Sequence, residues 1–277
     1  MIKAGNGPCH LHGNRLYFED GWEQRLAAFG LRQGSRWHLL EPESLVTGSL
    51  LVNTYRVQLS GAGAIYFKRY VYSLVRNRYF LQQSRAANEV YCYRQLAAIG
   101  IATLKPLALG EIREFGRLIA ACIVTAEVPD ALSLDEFARL HWCKLPPAER
   151  TRVYREISAE IISQLQRAHR KRFFHFDLKW RNILVQRDAA GHYRCTWIDC
   201  PRGRYMHLMP GRGQTVDLSS LARLALSYLS RTQRLRFIHD YLGEGASRQR
   251  ARRLFRKIDR HLSKRMPRVL DPFAGQE

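Results

Sequence analysis

The sequence of 277 residues has no long apolar run, no internal repeat and no low-complexity tract. Its longest apolar run, residues 118–126, is far shorter than the ~20 residues that a membrane-spanning helix needs. None of the six cysteines shows Cys-x-x-Cys spacing, and no charged-then-apolar leader opens the chain, so we expect reduced thiols in a cytosolic protein. Because 46 % of the residues are apolar and can fill a core, disordered, collagen-like and disulfide-stapled chains are excluded.

Acidic side chains are scarce, since 24 Asp and Glu residues face 45 Lys and Arg residues and leave a formal net charge of +21. The excess lies in residues 139–277, which hold 30 basic and 12 acidic side chains, against 15 and 12 in residues 1–138. A field of this sign attracts polyanions such as nucleic acid, an anionic membrane surface or phosphorylated sugars. No helix-turn-helix or RNA-binding signature occurs, so we do not expect nucleic acid as the partner.

The order of predicted elements indicates an α+β protein. Residues 1–40 give weak signals and predict a short, partly strand-like entry segment. The elements predicted for a first lobe, residues 41–130, are a β-hairpin within residues 49–70, a helix over 84–99, and strands over 102–110 and 117–127 around a turn at 111–116.

A second lobe, residues 131–277, is predicted to be mainly helical. Apolar residues three and four positions apart indicate a long helix over residues 147–170, with a proline at its start. A short strand pair is predicted over residues 183–186 and 193–198, and helical segments fill the remainder.

The string HFDLKWRNILV at residues 175–185 is the most informative part of the sequence. Transfer of a γ-phosphoryl group needs a carboxylate near the attacking hydroxyl, a cation near the transferred group and oxygen ligands for Mg²⁺. Asp177 offers the carboxylate, Lys179 the cation and Asn182 an oxygen ligand. Asp199 follows a predicted strand, where a second metal-ligating carboxylate is expected. The pattern therefore predicts Asp177 and Lys179 as catalytic residues and Asn182 and Asp199 as metal ligands.

Over residues 52–226 the sequence resembles the protein-kinase-like fold and, within it, the bacterial lipopolysaccharide core kinases that phosphorylate Kdo or heptose. The resemblance implies two lobes, a small antiparallel sheet with one helix followed by a mainly helical lobe. It also implies ATP and Mg²⁺ as cofactors and the lipopolysaccharide core, or another anionic sugar, as acceptor. A peripheral position on the anionic cytoplasmic face of the inner membrane follows from the same likeness.

The resemblance also implies roles for residues outside the string. Lys68 corresponds to the lysine that holds the α- and β-phosphates of the nucleotide, and Glu89 to its ion-pair partner. Asp217 corresponds to the aspartate that braces the catalytic loop from a later helix. His175 falls where kinases have a structural residue, so we expect it to pack behind the loop.

Departures from the protein-kinase pattern bear on the nucleotide and the acceptor. The three-glycine loop is missing, so the phosphate cover is expected at residues 46–49, with Gly48 as its single glycine. Phe176 replaces the usual arginine, and Cys200 and Pro201 follow Asp199 in place of Phe and Gly, which argues against phosphorylation-driven or Phe-driven switching. No Ala-Pro-Glu triplet follows, which favours a small or glycolipid acceptor over a protein.

Some alternatives stay open. The same fold could serve a protein kinase or a small-molecule kinase, or a basic pseudokinase binding module. Residues 248–268 carry ten Lys or Arg side chains, while Leu254, Phe255, Ile258 and Leu262 share one helical face. A helix of this kind either lies on an anionic membrane or packs on the larger lobe with its charges outward.

Overall fold

The structure is a computed structural model that describes residues 8–61, 63–72 and 79–265. The chain forms two compact units. The first unit contains the residues up to Asp130 together with the segment Asp199–Gly203, and the second contains Ala131–Ile198 and the chain from Arg204 onward. The first unit carries the large sheet and the second most of the helices, which confirms the α+β class.

A six-stranded antiparallel sheet with the strand order β1-β5-β6-β4-β3-β2 forms the first unit. The strands are β1 (Gly13–Phe18), β2 (Leu45–Gly48), β3 (Val52–Leu59), β4 (Gly63–Val71), β5 (Pro106–Glu114) and β6 (Arg117–Ala126). The hairpin expected within residues 49–70 is confirmed as β3 and β4, paired from Val52 opposite Tyr70 to Leu59 opposite Gly63. The entry segment joins the same sheet, because β1 pairs along its whole length with β5.

The turn expected at residues 111–116 is shorter than predicted. β5 continues to Glu114, and Phe115 and Gly116 alone make the turn, both with positive φ, 46° and 83°. Two consecutive positive φ values are typical of tight two-residue hairpin turns. Glu111 and Arg113 are charged, as residues of an exposed turn often are. In the structure, however, both side chains are fully buried in β5 and form an ion pair at 2.9 Å.

The described part of the first unit contains two α-helices, a short α1 (Trp22–Ala27) and a longer α2 (Arg85–Ala98). α2 corresponds to the helix predicted over residues 84–99. The Ser84 side chain accepts a hydrogen bond from the Ala87 N–H at 3.0 Å and so caps the first turn. Gly100, with φ of 73°, follows the last turn, where a left-handed residue commonly ends a helix. The α2 face that contains Glu89, Val90 and Tyr93 is buried.

Five helices and five short strands make up the described part of the second unit. The helices are α3 (Leu134–Leu140), α4 (Pro147–Arg170), α5 (Pro210–Tyr228), α6 (Arg231–Leu242) and α7 (Arg248–Arg265). The strands are β7 (Leu132–Ser133), β8 (Phe173–Phe174), β9 (Ile183–Arg187), β10 (Tyr193–Trp197) and β11 (Arg204–Tyr205). Strands β10, β9 and β7 form one sheet and β11 pairs with β8. The predicted strand pair is confirmed as β9 and β10.

The long helix predicted over residues 147–170 is confirmed as α4. The apolar stripe that predicted it, including Val153, Ile161 and Leu165, is buried. Because these side chains recur every three or four residues, one side of the helix faces the core along its whole length.

α7 settles one of the open alternatives. Its apolar residues Leu254 and Ile258 are buried against α5 and α6, so the apolar face of the helix packs within the second unit. Residues 266–268 of the basic stretch lie outside the described residues. Among residues 8–61, 63–72 and 79–265, no helix has both the length and the hydropathy of a membrane span.

Candidate active site

Three ionisable side chains of the first unit meet in one cluster. Nζ of Lys68, on β4, lies 2.8 Å from Oε1 of Glu89 on α2 and 2.6 Å from Oδ1 of Asp199. The Glu89 side chain is buried, whereas that of Asp199 is 33 % exposed. Residues that lie 131 positions apart in the sequence thus form one charged group.

The charge state of Lys68 follows from its surroundings. Burial alone lowers the pKa of its ammonium group, but the carboxylates of Glu89 and Asp199 outweigh burial and raise the pKa above the ordinary lysine value. Lys68 is therefore a cation at neutral pH. An ammonium ion held in place by Glu89 is suited to bind an anionic oxygen such as that of a nucleotide phosphate.

Two tyrosines complete the surroundings of Glu89, and the sequence reasoning missed both. The Tyr70 hydroxyl donates to Oε1 of Glu89, and the Tyr93 hydroxyl donates to Oε2 at 3.1 Å. Burial raises the pKa of each phenol well above its ordinary value, so both hydroxyls stay protonated and act as donors. A signal was available, because Tyr70 shares a strand face with Lys68 and Tyr93 lies one helical turn after Glu89.

The catalytic loop predicted at residues 175–185 lies in the second unit. Nζ of Lys179 is 2.7 Å from Oδ1 of Asp177, and both side chains are partly exposed. The Asn182 side-chain amide donates to the Asp177 carbonyl oxygen at 2.8 Å. Backbone bonds from Lys179 N–H to the Asp177 carbonyl and from Asn182 N–H to the Lys179 carbonyl tighten the loop. The structure therefore brings these three predicted residues together.

Asp217, on α5, holds the loop from behind. It is fully buried and accepts hydrogen bonds from the backbone N–H groups of His175 at 2.9 Å and Phe176 at 2.7 Å. These bonds secure Phe176 at a φ of 63°, a conformation that a bulky residue rarely adopts. The Trp180 indole N–H donates to the Leu221 carbonyl of the same helix. α5 is thus the brace that the resemblance implied.

His175 has a structural place, as expected from the sequence. Its side chain is fully buried, with Nε2 3.1 Å from the Ile198 carbonyl oxygen and Nδ1 3.3 Å from the Asp177 N–H. A carbonyl can only accept and a backbone N–H can only donate, so the neutral ring with its proton on Nε2 satisfies both. In this state His175 supports the backbone of Asp177.

The residues expected to cover the nucleotide phosphates form a hairpin. Gly48 ends β2, and the turn into β3 begins at Ser49. The Ser49 hydroxyl accepts hydrogen bonds from the N–H groups of Leu51 and Val52, at 3.4 Å and 3.1 Å. The Leu50 side chain is 86 % exposed at this turn. The role of Gly48 stays a prediction.

The two predicted metal ligands have the chemistry that a magnesium ion prefers. Mg²⁺ takes oxygen ligands and is commonly bound by one or two protein side chains plus substrate phosphates and water. Asp199 offers a partly exposed carboxylate. Asn182 donates through its amide nitrogen, which leaves its amide oxygen as the coordinating group. In the described part of the chain no three His, Cys, Asp or Glu side chains form a metal site of their own.

A comparison with models of protein families shows to which family the chain is related. The model of the lipopolysaccharide kinase (Kdo/WaaP) family matches residues 43–267. The chain belongs to this family. The lipopolysaccharide kinase is therefore an ATP-dependent phosphotransferase, and the resemblance noted in the sequence is confirmed.

Solved structures agree on the fold of the kinase. A structure described as WaaP in complex with acyl carrier protein is similar with a TM-score of 0.67 and 22 % sequence identity. The match covers 90 % of this chain and 98 % of that chain. This confirms the kinase-like fold. A search of curated protein sequences finds no match.

Proposed function

We propose that this kinase transfers the γ-phosphoryl group of ATP to a sugar hydroxyl, on heptose or Kdo, of the lipopolysaccharide inner core at the cytoplasmic face of the inner membrane. The observation that carries the proposal is the contact between Asp177 and Lys179 in a loop braced by Asp217. A carboxylate and an ammonium group are the two charges that this reaction needs beside the acceptor and the moving phosphoryl group.

Each predicted site residue has a separate role in the proposed reaction. Asp177 orients the acceptor hydroxyl and takes its proton as the oxygen bonds to the γ-phosphorus and the bond from that phosphorus to the leaving ADP oxygen breaks. Lys179 turns from Asp177 to the transferred group and offsets its negative charge. Lys68, fixed by Glu89, binds phosphate oxygens of the nucleotide. Asp199 and Asn182 would hold Mg²⁺, which would supply further charge neutralisation and orient the phosphates.

The excess of basic side chains supports an anionic acceptor. Most of the positive charge lies in residues 139–277, which include the predicted catalytic loop. The lipopolysaccharide core carries anionic groups, and opposite charges raise the rate of encounter. The charged side of α7, which is exposed while its apolar side is buried, is the part of this helix that would face an anionic membrane.

A transfer assay tests the acceptor. Purified protein is incubated with γ-labelled ATP, Mg²⁺ and lipopolysaccharide from a strain that lacks this kinase, truncated either after Kdo or after heptose. We expect label in the lipopolysaccharide with the wild type and none with Asp177→Asn. Which truncation still accepts label identifies the sugar. Label in lysate proteins and not in lipopolysaccharide would instead establish a protein kinase.

We also propose an acyl carrier protein as a partner of the second unit. The similar WaaP structure is described as a complex with acyl carrier protein. In this chain an apolar cavity of about 120 Å³ lies among the helices of the second unit. Its lining includes Phe137, Trp142, Leu221, Phe237 and Ile258. An acyl chain is the part of such a partner that an apolar cavity would accept.

Filling the cavity tests this partner. Ala225 lines the cavity, so Ala225→Phe reduces the space for an acyl chain, whereas Ala190→Phe makes the same change at an exposed turn. Binding of purified acyl carrier protein is measured with and without its acyl chain. We expect acyl-dependent binding by the wild type and by Ala190→Phe, and its loss in Ala225→Phe. Binding that ignores both the chain and the cavity variant would contradict the proposal.

A further inference from the structure

The side chain of Tyr93 contacts two members of the charged cluster that Lys68, Glu89 and Asp199 form. Its side chain is 2 % exposed. The hydroxyl donates to Oε2 of Glu89 at 3.1 Å and accepts from the backbone N–H of Asp199 at 3.0 Å. We propose that Tyr93 is a positioning residue that fixes the predicted metal ligand Asp199 relative to the Lys68–Glu89 ion pair. The inference deepens the proposed function and rests on it.

The hydrogen-bond roles at Tyr93 are set by its partners. The Asp199 N–H can only donate, so the single phenolic proton goes to the Glu89 carboxylate. The hydroxyl therefore works as a directional bridge: removal of the oxygen leaves a buried carboxylate oxygen and a backbone N–H each short of one partner.

Both the backbone and the side chain of Asp199 are fixed by hydrogen bonds. Its φ is 56°, a backbone conformation that non-glycine residues rarely adopt and that surrounding contacts must maintain. The Tyr93 hydroxyl holds its backbone N–H, and Lys68 holds its carboxylate. If the Tyr93 contact were lost, the Asp199 carboxylate would keep its contact with Lys68. The Asp199 backbone, which sets the direction of that carboxylate, would have lost a hydrogen bond.

The rest of α2 supports the same segment. The Asn88 side-chain amide donates to the Pro201 carbonyl at 2.9 Å, and the Cys92 thiol donates to the Gly203 carbonyl at 3.2 Å. One face of α2 thus holds Asp199–Gly203 at three points.

Tyr93→Phe removes the hydroxyl and keeps the ring. The matched control is Tyr72→Phe, because the buried Tyr72 hydroxyl also accepts from a backbone N–H of α2, that of Arg85 at 3.0 Å, without contact to Glu89 or Asp199 in the hydrogen bonds described. Two quantities are measured in each variant: amide hydrogen exchange of Asp199 in the nucleotide-free protein, and the Mg²⁺ concentration that half-saturates binding of a fluorescent ATP analogue.

We expect Tyr93→Phe to speed exchange of the Asp199 amide about tenfold, the size of one lost buried hydrogen bond. The half-saturating Mg²⁺ concentration should rise about tenfold, as when a partner of a metal ligand is removed. Tyr72→Phe should change neither. Unchanged exchange and unchanged Mg²⁺ dependence in a folded Tyr93→Phe protein would overturn the inference.

Two further results keep the inference distinct from the proposed function. If Tyr93→Phe does not fold, exchange is read in the wild type, where an Asp199 amide as fast as an unstructured one would overturn the bridge. If the wild type transfers no phosphoryl group to lipopolysaccharide, the proposed function fails, whereas the exchange and metal-binding results still decide the role of Tyr93.

Discussion

Phe176 donates its backbone N–H to the Asp217 carboxylate at 2.7 Å, and this bond joins the predicted catalytic loop to the fully buried side chain of a later helix. The same carboxylate also accepts the N–H of His175. Asp217 thus accepts both N–H groups at a point where the loop has a positive φ, 63° at Phe176. One side chain thus holds the backbone N–H groups of two consecutive residues of the loop.

Replacement of Asp217 should affect stability and catalysis together. Asp217→Ala removes the acceptor of the His175 and Phe176 N–H groups and the contact of the carboxylate with the His169 ring at 3.3 Å, so we expect a loss of about 3 kcal/mol in the free energy of unfolding. Asp217→Asn should lose less, because its amide oxygen can still accept one of the two bonds. Urea unfolding and transfer kinetics check both variants, with the exposed Asp130→Asn as control. Full activity in Asp217→Ala would contradict the bracing role.

Asp177→Asn should separate chemistry from folding. The side chain is partly exposed and its main ionic partner is Lys179, so stability should change little. Loss of the carboxylate proposed to take the acceptor proton should lower kcat about 10²- to 10⁴-fold. Affinity for an ATP analogue, measured by titration calorimetry, should stay near that of the wild type. A variant that transfers phosphoryl groups at the normal rate would remove Asp177 from its predicted role.

The parts of this fold that the sequence predicts well are those with local patterns. α4 is identified by its apolar spacing, and Asp177, Lys179 and Asn182 lie within six residues, so one short loop necessarily brings them close. Lys68 and Glu89 became candidates through the order of the family's motifs. Their contact is a long-range feature that spacing alone could not establish.

The missed features depend on long-range contacts or on buried polar groups. β1 pairs with β5 about a hundred residues later, beginning with Gly13 opposite Arg113, and no local pattern announces such pairing. From the sequence alone, the charged Arg113 looks like a turn residue, because its buried ion pair with Glu111 is visible only in the folded strand. Tyr70 and Tyr93 resemble core aromatics, and their hydroxyls gain a role through Glu89.

Lys68→Met should destabilise the first unit, because it leaves the buried Glu89 carboxylate without its cation. Removal of one partner of a buried pair costs on the order of 3 kcal/mol, and the Tyr70 and Tyr93 hydroxyls should lessen that loss here. Nucleotide affinity should also fall. The double variant with Glu89→Gln should recover part of the stability but not the affinity. A single variant as stable as the wild type in urea would show that the pair contributes no stability.

A rise to alkaline pH should lower the free energy of unfolding of the wild type more steeply than that of Tyr70→Phe. Burial, followed by the charge of Glu89, raises the pKa of Tyr70 in the folded protein, so the folded state keeps a proton that the unfolded chain loses above about pH 10. Stability from this group is therefore complete below pH 10 and falls as pH rises further, by up to ~1.4 kcal/mol per pH unit. Urea unfolding at several pH values from about pH 8 to about pH 11 should show the flatter curve in the variant. Parallel curves would exclude Tyr70 as a contributor.

Ile258→Ala tests how α7 is used. Ile258 is 4 % exposed on the packed face of α7, so loss of its side chain should cost about 2–4 kcal/mol of unfolding free energy, because it leaves a cavity. Arg252→Ala, on the exposed face, should cost little. Binding to anionic vesicles should respond in the opposite way: Arg252→Ala weakens it, since each basic side chain near an anionic surface contributes about 1 kcal/mol, and Ile258→Ala leaves it unchanged. If Ile258→Ala were as stable as the wild type and lost vesicle binding, the apolar face would enter the membrane and the packed arrangement of α7 would be wrong.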